Sequence, residues 1–367
     1  MKYYIIAGEA SGDLHGSNLM KAIFAHDNAA RIRFWGGDAM QSVGGECVRH
    51  IRDLAIMGFI EVLRHFRRVI GNIAFCKRDI IQFNPDAIIY IDYPGFNLRI
   101  ANYAHNHGYK NFYYISPQLW AWKKNRIKQM RKSLDYLFCI LPFEEEFYRN
   151  NSFSQAVYLG HPLLDAIDNN QLDSKSENNS LIALLPGSRK QELAHTMPTM
   201  VAFAARHPEC RFAVAGMTLL GKHVYEKYIG NISNIEVIYD NTYQLFTQSR
   251  LAIVCSGTAT LEAALFNVPQ VVCYKANPIS IAIARKLVGR RVRFISLVNL
   301  IADRAVVKEL LQNDFNITNL EQEYTLLTQD ESYRNSMLDG YADVRNILGN
   351  KGASDRVATQ IIKAINS

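Results

Sequence analysis

Runs of β-branched, aromatic and aliphatic residues alternate with longer stretches of helical period along almost the whole chain, and this alternation leaves few folds open. Strands are predicted at 3–7, 31–35, 87–91, 111–115, 136–140 and 156–159, and a second series at 181–185, 211–215, 235–239, 251–255 and 270–274. Most of these runs are apolar throughout, as suits strands buried on both faces in parallel sheets covered by helices. The expectation is an α/β protein of two Rossmann-like halves. A length of 367 residues agrees, being too great for one compact core. Between the halves, 168–180 is rich in Asn and Ser and nearly free of apolar residues, so it reads as a linker dividing a domain at 1–168 from one at 178–349. After Thr318 the chain becomes helical and polar, and Val357, Ile361, Ile362 and Ile365 are spaced as one face of a last helix.

Composition excludes several classes of protein. Hydrophobic content of 49% with 20% charged residues is ordinary for a globular chain. The six cysteines have no metal-ligand spacing and several lie in apolar runs, so they read as buried thiols in a reducing compartment. The first apolar run ends at Gly8-Glu9, too early for a signal peptide, and no segment approaches the roughly 18 apolar residues of a membrane span. A soluble or peripheral protein is expected. The net charge of +7 is spread over both halves and identifies no partner. Six positive residues fall between Lys123 and Lys132, but no nucleic-acid-binding module accompanies them, so a solvated face or one toward anionic lipid is favoured over nucleic acid.

In doubly wound sheets ligands bind beyond the carboxyl ends of the strands, which makes the residues just after each strand the candidates. After the first, Gly8, Ser11 and Gly12 allow close backbone approach and a hydroxyl contact, without the GxGxxG spacing of a dinucleotide site. After 87–91, Asp92 puts a carboxylate at the end of an apolar run, and burial beside Tyr90 and Tyr93 would raise its pKa toward that of a base able to accept a proton from an alcohol. Capping of the next helix is an equal reading. Ser116, Trp120 and Trp122 follow the fourth strand and suit a sugar or acyl cleft, or packing. Gly187 and Ser188 are read as starting a helix whose first turn carries Arg189, a cation opposed to the helix dipole unless an anion binds there. Finally Ser256-Gly257-Thr258-Ala259-Thr260-Leu-Glu262 reads as a strand-to-helix turn whose N–H groups could receive a diphosphate while Glu262 accepts from a ribose. An ordinary capped turn competes with that reading.

Two segments, 57–78 and 278–294, mix apolar and basic residues as in helices lying on an anionic bilayer, although ordinary core helices fit the same pattern. The histidines have no metal-site spacing and there is no DxD sequence, so a mechanism without metal or cofactor is expected.

With these segments in view the chain resembles the lipid-A-disaccharide synthase family, glycosyltransferases of the GT-B type. The resemblance rests on Gly8-Glu-Ala-Ser-Gly-Asp13, Met57-Gly-Phe-Ile-Glu-Val62, Ile91-Asp-Tyr-Pro-Gly-Phe-Asn97 and Ser116-Pro-Gln-Leu-Trp-Ala-Trp122. It continues through Leu141-Pro-Phe-Glu144, Gly160-His-Pro162, Leu185-Pro-Gly-Ser-Arg189, Ser256-Gly-Thr-Ala-Thr-Leu-Glu262 and Ser296-Leu-Val-Asn299. Val298 departs from the family, where Pro more often precedes the Asn.

The resemblance implies two Rossmann-like domains facing across a cleft, with the last helix, 350–367, packing back on the first. It implies UDP-2,3-diacylglucosamine as donor and 2,3-diacylglucosamine 1-phosphate as acceptor, joined with inversion into a β-1,6 disaccharide. Asp92 would be the general base. Gly187, Ser188, Arg189 and the Ser256–Glu262 turn would hold UDP. Gly8, Glu9, Ser11, Gly12, Asp13, Asn97, Ser116, Trp120 and Asn299 would line the acceptor cleft, with Glu9 and Asp13 as further candidates for the base. The protein would work at the inner face of the cytoplasmic membrane, against anionic lipid, and a second copy of the chain is a further candidate partner. A UDP-sugar 2-epimerase, which shares the architecture and a similar Ser-Gly-Thr…Glu turn, and a non-catalytic UDP- or lipid-binding protein are the rival readings.

Overall fold

The computed structural model describes residues 1–54, 66–120, 126–167, 180–277 and 293–367. The expected linker at 168–179, residues 57–65 and 278–292 of the two amphipathic segments, and Trp122, Lys123 and Lys124 lie outside the described residues. The chain divides into two compact units, Met1–Ala166 with Leu348–Ser367, and Ile167–Ile347.

The first unit is built on a seven-stranded parallel sheet of β1 (Lys2–Ala7), β2 (Arg31–Gly36), β3 (Glu46–His50), β4 (Ala87–Ile91), β5 (Lys110–Tyr114), β6 (Tyr136–Cys139) and β7 (Ala156–Tyr158). The strands lie in the order β3-β2-β1-β4-β5-β6-β7, so the direction of winding reverses between β1 and β4. Side chains alternate between two buried faces. Tyr4, Ile6, Ile88 and Tyr90 enter one core, and Tyr3, Ile5, Ile89 and Ile91 enter the other. Burial on both sides explains why these strands read as unbroken apolar runs.

The second core is closed by two helices from opposite ends of the chain. Ala10–His26 supplies Leu19, Met20 and Ile23, and Ala353–Asn366 supplies Val357, Ala358, Ile361 and Ala364. Burying each of the larger of these side chains contributes roughly 1.5–3 kcal/mol. Asp165 fixes where the last helix begins, its carboxylate accepting from the backbone N–H groups of Gly352 (2.6 Å), Ala353 (3.2 Å) and Ser354 (2.7 Å). A carboxylate there meets both the unpaired donors and the positive end of the dipole.

The second unit has six parallel strands: β8 (Leu181–Leu185), β9 (Arg211–Gly216), β10 (Ile235–Tyr239), β11 (Ser249–Cys255), β12 (Gln270–Tyr274) and β13 (Lys308–Leu311). Their order is β10-β9-β8-β11-β12-β13, with the reversal between β8 and β11. The two strands absent from the sequence expectation, β3 and β13, are both edges. Their sequences, ECVRH and KELL, carry the charges that protect an exposed edge and hide it from a search for apolar runs.

Candidate functional site

Both sheets place their chemistry-bearing turns at the reversal point, where loops from neighbouring strands diverge and leave a crevice. In the first unit Ala7 of β1 lies beside Ile91 of β4, so the turns beginning at Gly8 and Asp92 emerge together. Their contact is close, since a Cβ on Gly8 would stand 2.5 Å from Cγ of Tyr93. Only glycine lets the first turn lie on that ring. Asp92 and Tyr93 both adopt left-handed conformations, with φ of 45° and 50°. Pro94 then opens the helix Pro94–His105, where its missing N–H costs nothing. Asp92 is half-buried, less than the sequence reading supposed, because its strand ends at the surface of the crevice.

Several polar residues expected to face the acceptor are instead internal braces. The Asp13 carboxylate accepts from the backbone N–H groups of Gly37 (2.6 Å), Ala39 (3.0 Å) and Met40 (3.0 Å), capping the helix Asp38–Val43. Both of its carboxylate oxygens are thereby engaged by backbone donors. Asn97 is fully buried, and its Nδ2 donates to the carbonyl oxygens of Asp92 (2.7 Å), Ile6 (3.3 Å) and Ile91 (3.4 Å). Ser116 Oγ (2.6 Å) and Trp120 Nε1 (3.2 Å) donate to Glu144, which also accepts from the N–H groups of Ile140 and Leu141 at 3.1 Å. Burial pushes the Glu144 carboxyl up to about 7 against these bonds. Glu9 and Ser11 are exposed at the start of Ala10–His26, and Gly12 is packed on β1. Of the residues predicted in this unit, the crevice therefore gathers Gly8, Glu9, Ser11 and Asp92.

In the second unit Leu185 of β8 pairs with Val254 of β11, so the Pro186–Arg189 and Ser256–Glu262 turns leave adjacent strands. The first differs from expectation. Its helix, Lys190–Ala204, begins at Lys190, and Glu192 reaches back to accept from the N–H groups of Ser188 (2.8 Å) and Arg189 (3.2 Å). Those donors are already engaged. Gly187 has φ of 110° and a Cβ there would meet Glu192, which accounts for the glycine. The Arg189 side chain is 66% exposed and lies 3.6 Å from Glu192.

The Ser256–Glu262 turn keeps its approach open. Apart from its own chain neighbours, no heavy atom of the described residues lies within 4 Å of where a Cβ on Gly257 would stand, and the helix Thr258–Leu265 begins immediately beyond. Ser256 Oγ donates to the Ile295 carbonyl (2.9 Å) and Thr260 Oγ1 to that of Gly257 (2.8 Å), fixing the turn from behind. Desolvation raises the Glu262 carboxyl to about 7, partly opposed by the Tyr243 hydroxyl, which donates to it at 3.4 Å. Asn299 is 1% exposed and lies in this unit. Its Oδ1 accepts from Val306 and Val307, and its Nδ2 donates to Val307 and Glu309. It thus braces this unit from within. Val298 is buried in the helix Leu297–Ala302, whose N-cap Ser296 accepts from the Asn299 N–H, so the local turn forms without proline.

Glu192 and Tyr243, which hold this unit's turns and their carboxylate, are not among the residues the sequence assigns to the site. Glu192 carried a signal, since a Glu three residues after an N-cap commonly returns to it. Tyr243 is distant in sequence from the carboxylate it meets and has no local signature.

Solved structures resemble this chain over its full length at low identity. The S. aureus MnaA–UDP structure matches with a TM-score of 0.70 and 16% identity, over 100% of this chain and 97% of that one. A UDP-GlcNAc 2-epimerase from Neisseria meningitidis, bound to UDP-GlcNAc, matches with a TM-score of 0.63 and 13% identity, over 99% and 100%. The fold is GT-B type, two Rossmann-like units with their turns at the reversal points. Sequence comparison resolves the class further. The Lipid-A-disaccharide synthetase family model matches residues 3–362. A lipid-A-disaccharide synthase of Acidobacterium capsulatum is 37% identical over 96% of this chain and 92% of the relative. The chain belongs to the lipid-A-disaccharide synthase family and is a UDP-sugar-dependent glycosyltransferase.

Proposed function

We propose that the chain transfers 2,3-diacylglucosamine from UDP-2,3-diacylglucosamine to the 6-hydroxyl of 2,3-diacylglucosamine 1-phosphate, with inversion, forming a β-1,6 disaccharide 1-phosphate and UDP. The observation that carries the reading is the placement of Asp92 at the reversal point of one sheet and of the open Gly257 turn with Glu262 at that of the other. Asp92 takes the proton from O6 of the acceptor as that oxygen attacks C1 of the donor. The bond from C1 to the diphosphate oxygen breaks, and its electron pair leaves with UDP. One displacement inverts C1.

The N–H groups at the start of Thr258–Leu265 and the Arg189 guanidinium would carry the charge that develops on the diphosphate, and Glu262 would accept from the ribose hydroxyls. To reach the diphosphate Arg189 turns away from Glu192, a surface pair worth about 1 kcal/mol or less. On the acceptor side, Arg126 lies in the helix Arg126–Ser133. It is half-buried, approaches Tyr113 and has no hydrogen bond or ion pair among the described residues. A half-buried guanidinium without a partner supports an anionic group on the acceptor, and the 1-phosphate supplies one.

The lipid chains of both substrates support work at an anionic membrane surface. No helix among the described residues is long and apolar enough to cross a membrane. The helix Phe66–Phe83 buries Cys76 and Ile80 while Ile70 and Ile81 are 50% and 45% exposed, near Arg78. Exposed isoleucines beside a basic residue suit a shallow contact with acidic lipid. Asp92→Asn tests the chemistry. Turnover should fall about 10²–10⁴-fold with UDP affinity unchanged, and a near-normal rate would remove Asp92 as the base.

A further inference from the structure

A general base must be held close to one geometry, since a small misplacement can cost about 10²-fold in rate. Asp92 stands where the backbone resists being held. Two successive non-glycine residues, Asp92 and Tyr93, are left-handed, and for a bulky side chain such as tyrosine that conformation is costly. Such a turn persists only if its surroundings over-determine it. The Asp92 carbonyl oxygen is gripped from two sides. The Tyr113 hydroxyl donates to it at 2.5 Å from the neighbouring strand β5, and Asn97 Nδ2 donates at 2.7 Å from the helix that follows. The Asp92 N–H donates to the Tyr114 carbonyl at 3.2 Å. Tyr113 and Asn97 are both fully buried, so both donors come from the protein interior.

We propose that Tyr113 is a positioning residue for the transfer reaction. With Asn97, it locks the peptide after Asp92 and so fixes the direction in which the Asp92 carboxylate meets the acceptor hydroxyl. The proposal rests on the reading of Asp92 as base. Tyr113 is fully buried and its hydroxyl is spent on the Asp92 carbonyl, so its effect passes through Asp92. It should alter the rate of the chemical step and leave the substrates' binding as it was.

Tyr113→Phe removes the hydroxyl and keeps the ring. One hydrogen bond of ordinary strength corresponds to about a five- to tenfold change in rate. The expected result is a kcat lowered by about that factor, with KM for donor and acceptor unchanged. The decisive measurement repeats the substitution in an Asp92→Asn background, where a residue acting only through the Asp92 carboxylate has nothing left to position. The double variant should then turn over as slowly as Asp92→Asn alone. If Tyr113→Phe costs the same factor in both backgrounds, or costs nothing in either, the positioning role is overturned while Asp92 stands as base. A near-normal rate for Asp92→Asn overturns the base reading and this proposal together. Should Tyr113→Phe fail to fold, Asn97→Ser withdraws the other donor from the same carbonyl and is scored by the same cycle.

Discussion

The raised carboxyl of Glu262 makes donor binding depend on pH in a direction that can be worked out. In the free protein desolvation pushes this group up to about 7, with the Tyr243 hydroxyl its one donor among the described residues. Ribose hydroxyls donate to a carboxylate better than to a carboxylic acid, so binding favours the ionised form and draws its pKa down. Affinity must then weaken as pH falls through 7. Between pH 8 and pH 6 the ionised fraction of free Glu262 falls about tenfold, and the affinity for UDP falls by about the same factor, close to 1.4 kcal/mol. UDP titrates in this range as well, so the comparison is made against Glu262→Gln, which sees the same nucleotide and has no titration of its own. Calorimetric binding of UDP at pH 6, 7 and 8 should give a wild-type to variant affinity ratio that grows about tenfold across the series. A ratio that stays flat would refute the assignment of Glu262 to the ribose.

Two further outcomes concern the first unit. Glu144 has a folded-state pKa of about 7 against an ordinary 4.5, so the stability linked to its proton is fully present below 4.5 and is lost as pH rises through 7. The loss amounts to roughly 3 kcal/mol, and Glu144→Gln should flatten that slope in urea midpoints measured from pH 4.5 to 7.5. Arg126→Ala should raise KM for the phosphorylated acceptor about tenfold or more and leave donor KM unchanged, as read from initial rates with each substrate varied.

Much of the fold was legible because parallel strands covered on both faces must be apolar along their whole length. The edges were not legible, since Glu46–His50 and Lys308–Leu311 survive at a sheet margin through their charges. The location of the candidate site was also legible, because ligands gather beyond the carboxyl ends of strands and the polar turns stand out there. What a linear pattern leaves open is the direction a polar side chain takes. Asp13, Asn97, Ser116 and Asn299 all lie soon after strands or at helix starts, as Asp92 does, yet all four point inward and hold backbone or carboxylate partners. A residue that shapes a loop and one that meets a ligand can have the same spacing. Tyr113 shows the converse, since it is an ordinary strand tyrosine until the pairing of β4 with β5 places its hydroxyl on the Asp92 carbonyl.

The central claim is tested most directly by incubating the purified protein with UDP-2,3-diacylglucosamine, with and without 2,3-diacylglucosamine 1-phosphate, and following UDP release and lipid mass together. The account predicts UDP release that depends on the acceptor, accompanied by a tetraacyl disaccharide phosphate with a β-1,6 linkage. UDP bound but no disaccharide formed, or a soluble UDP-sugar interconverted without any acceptor, would contradict it.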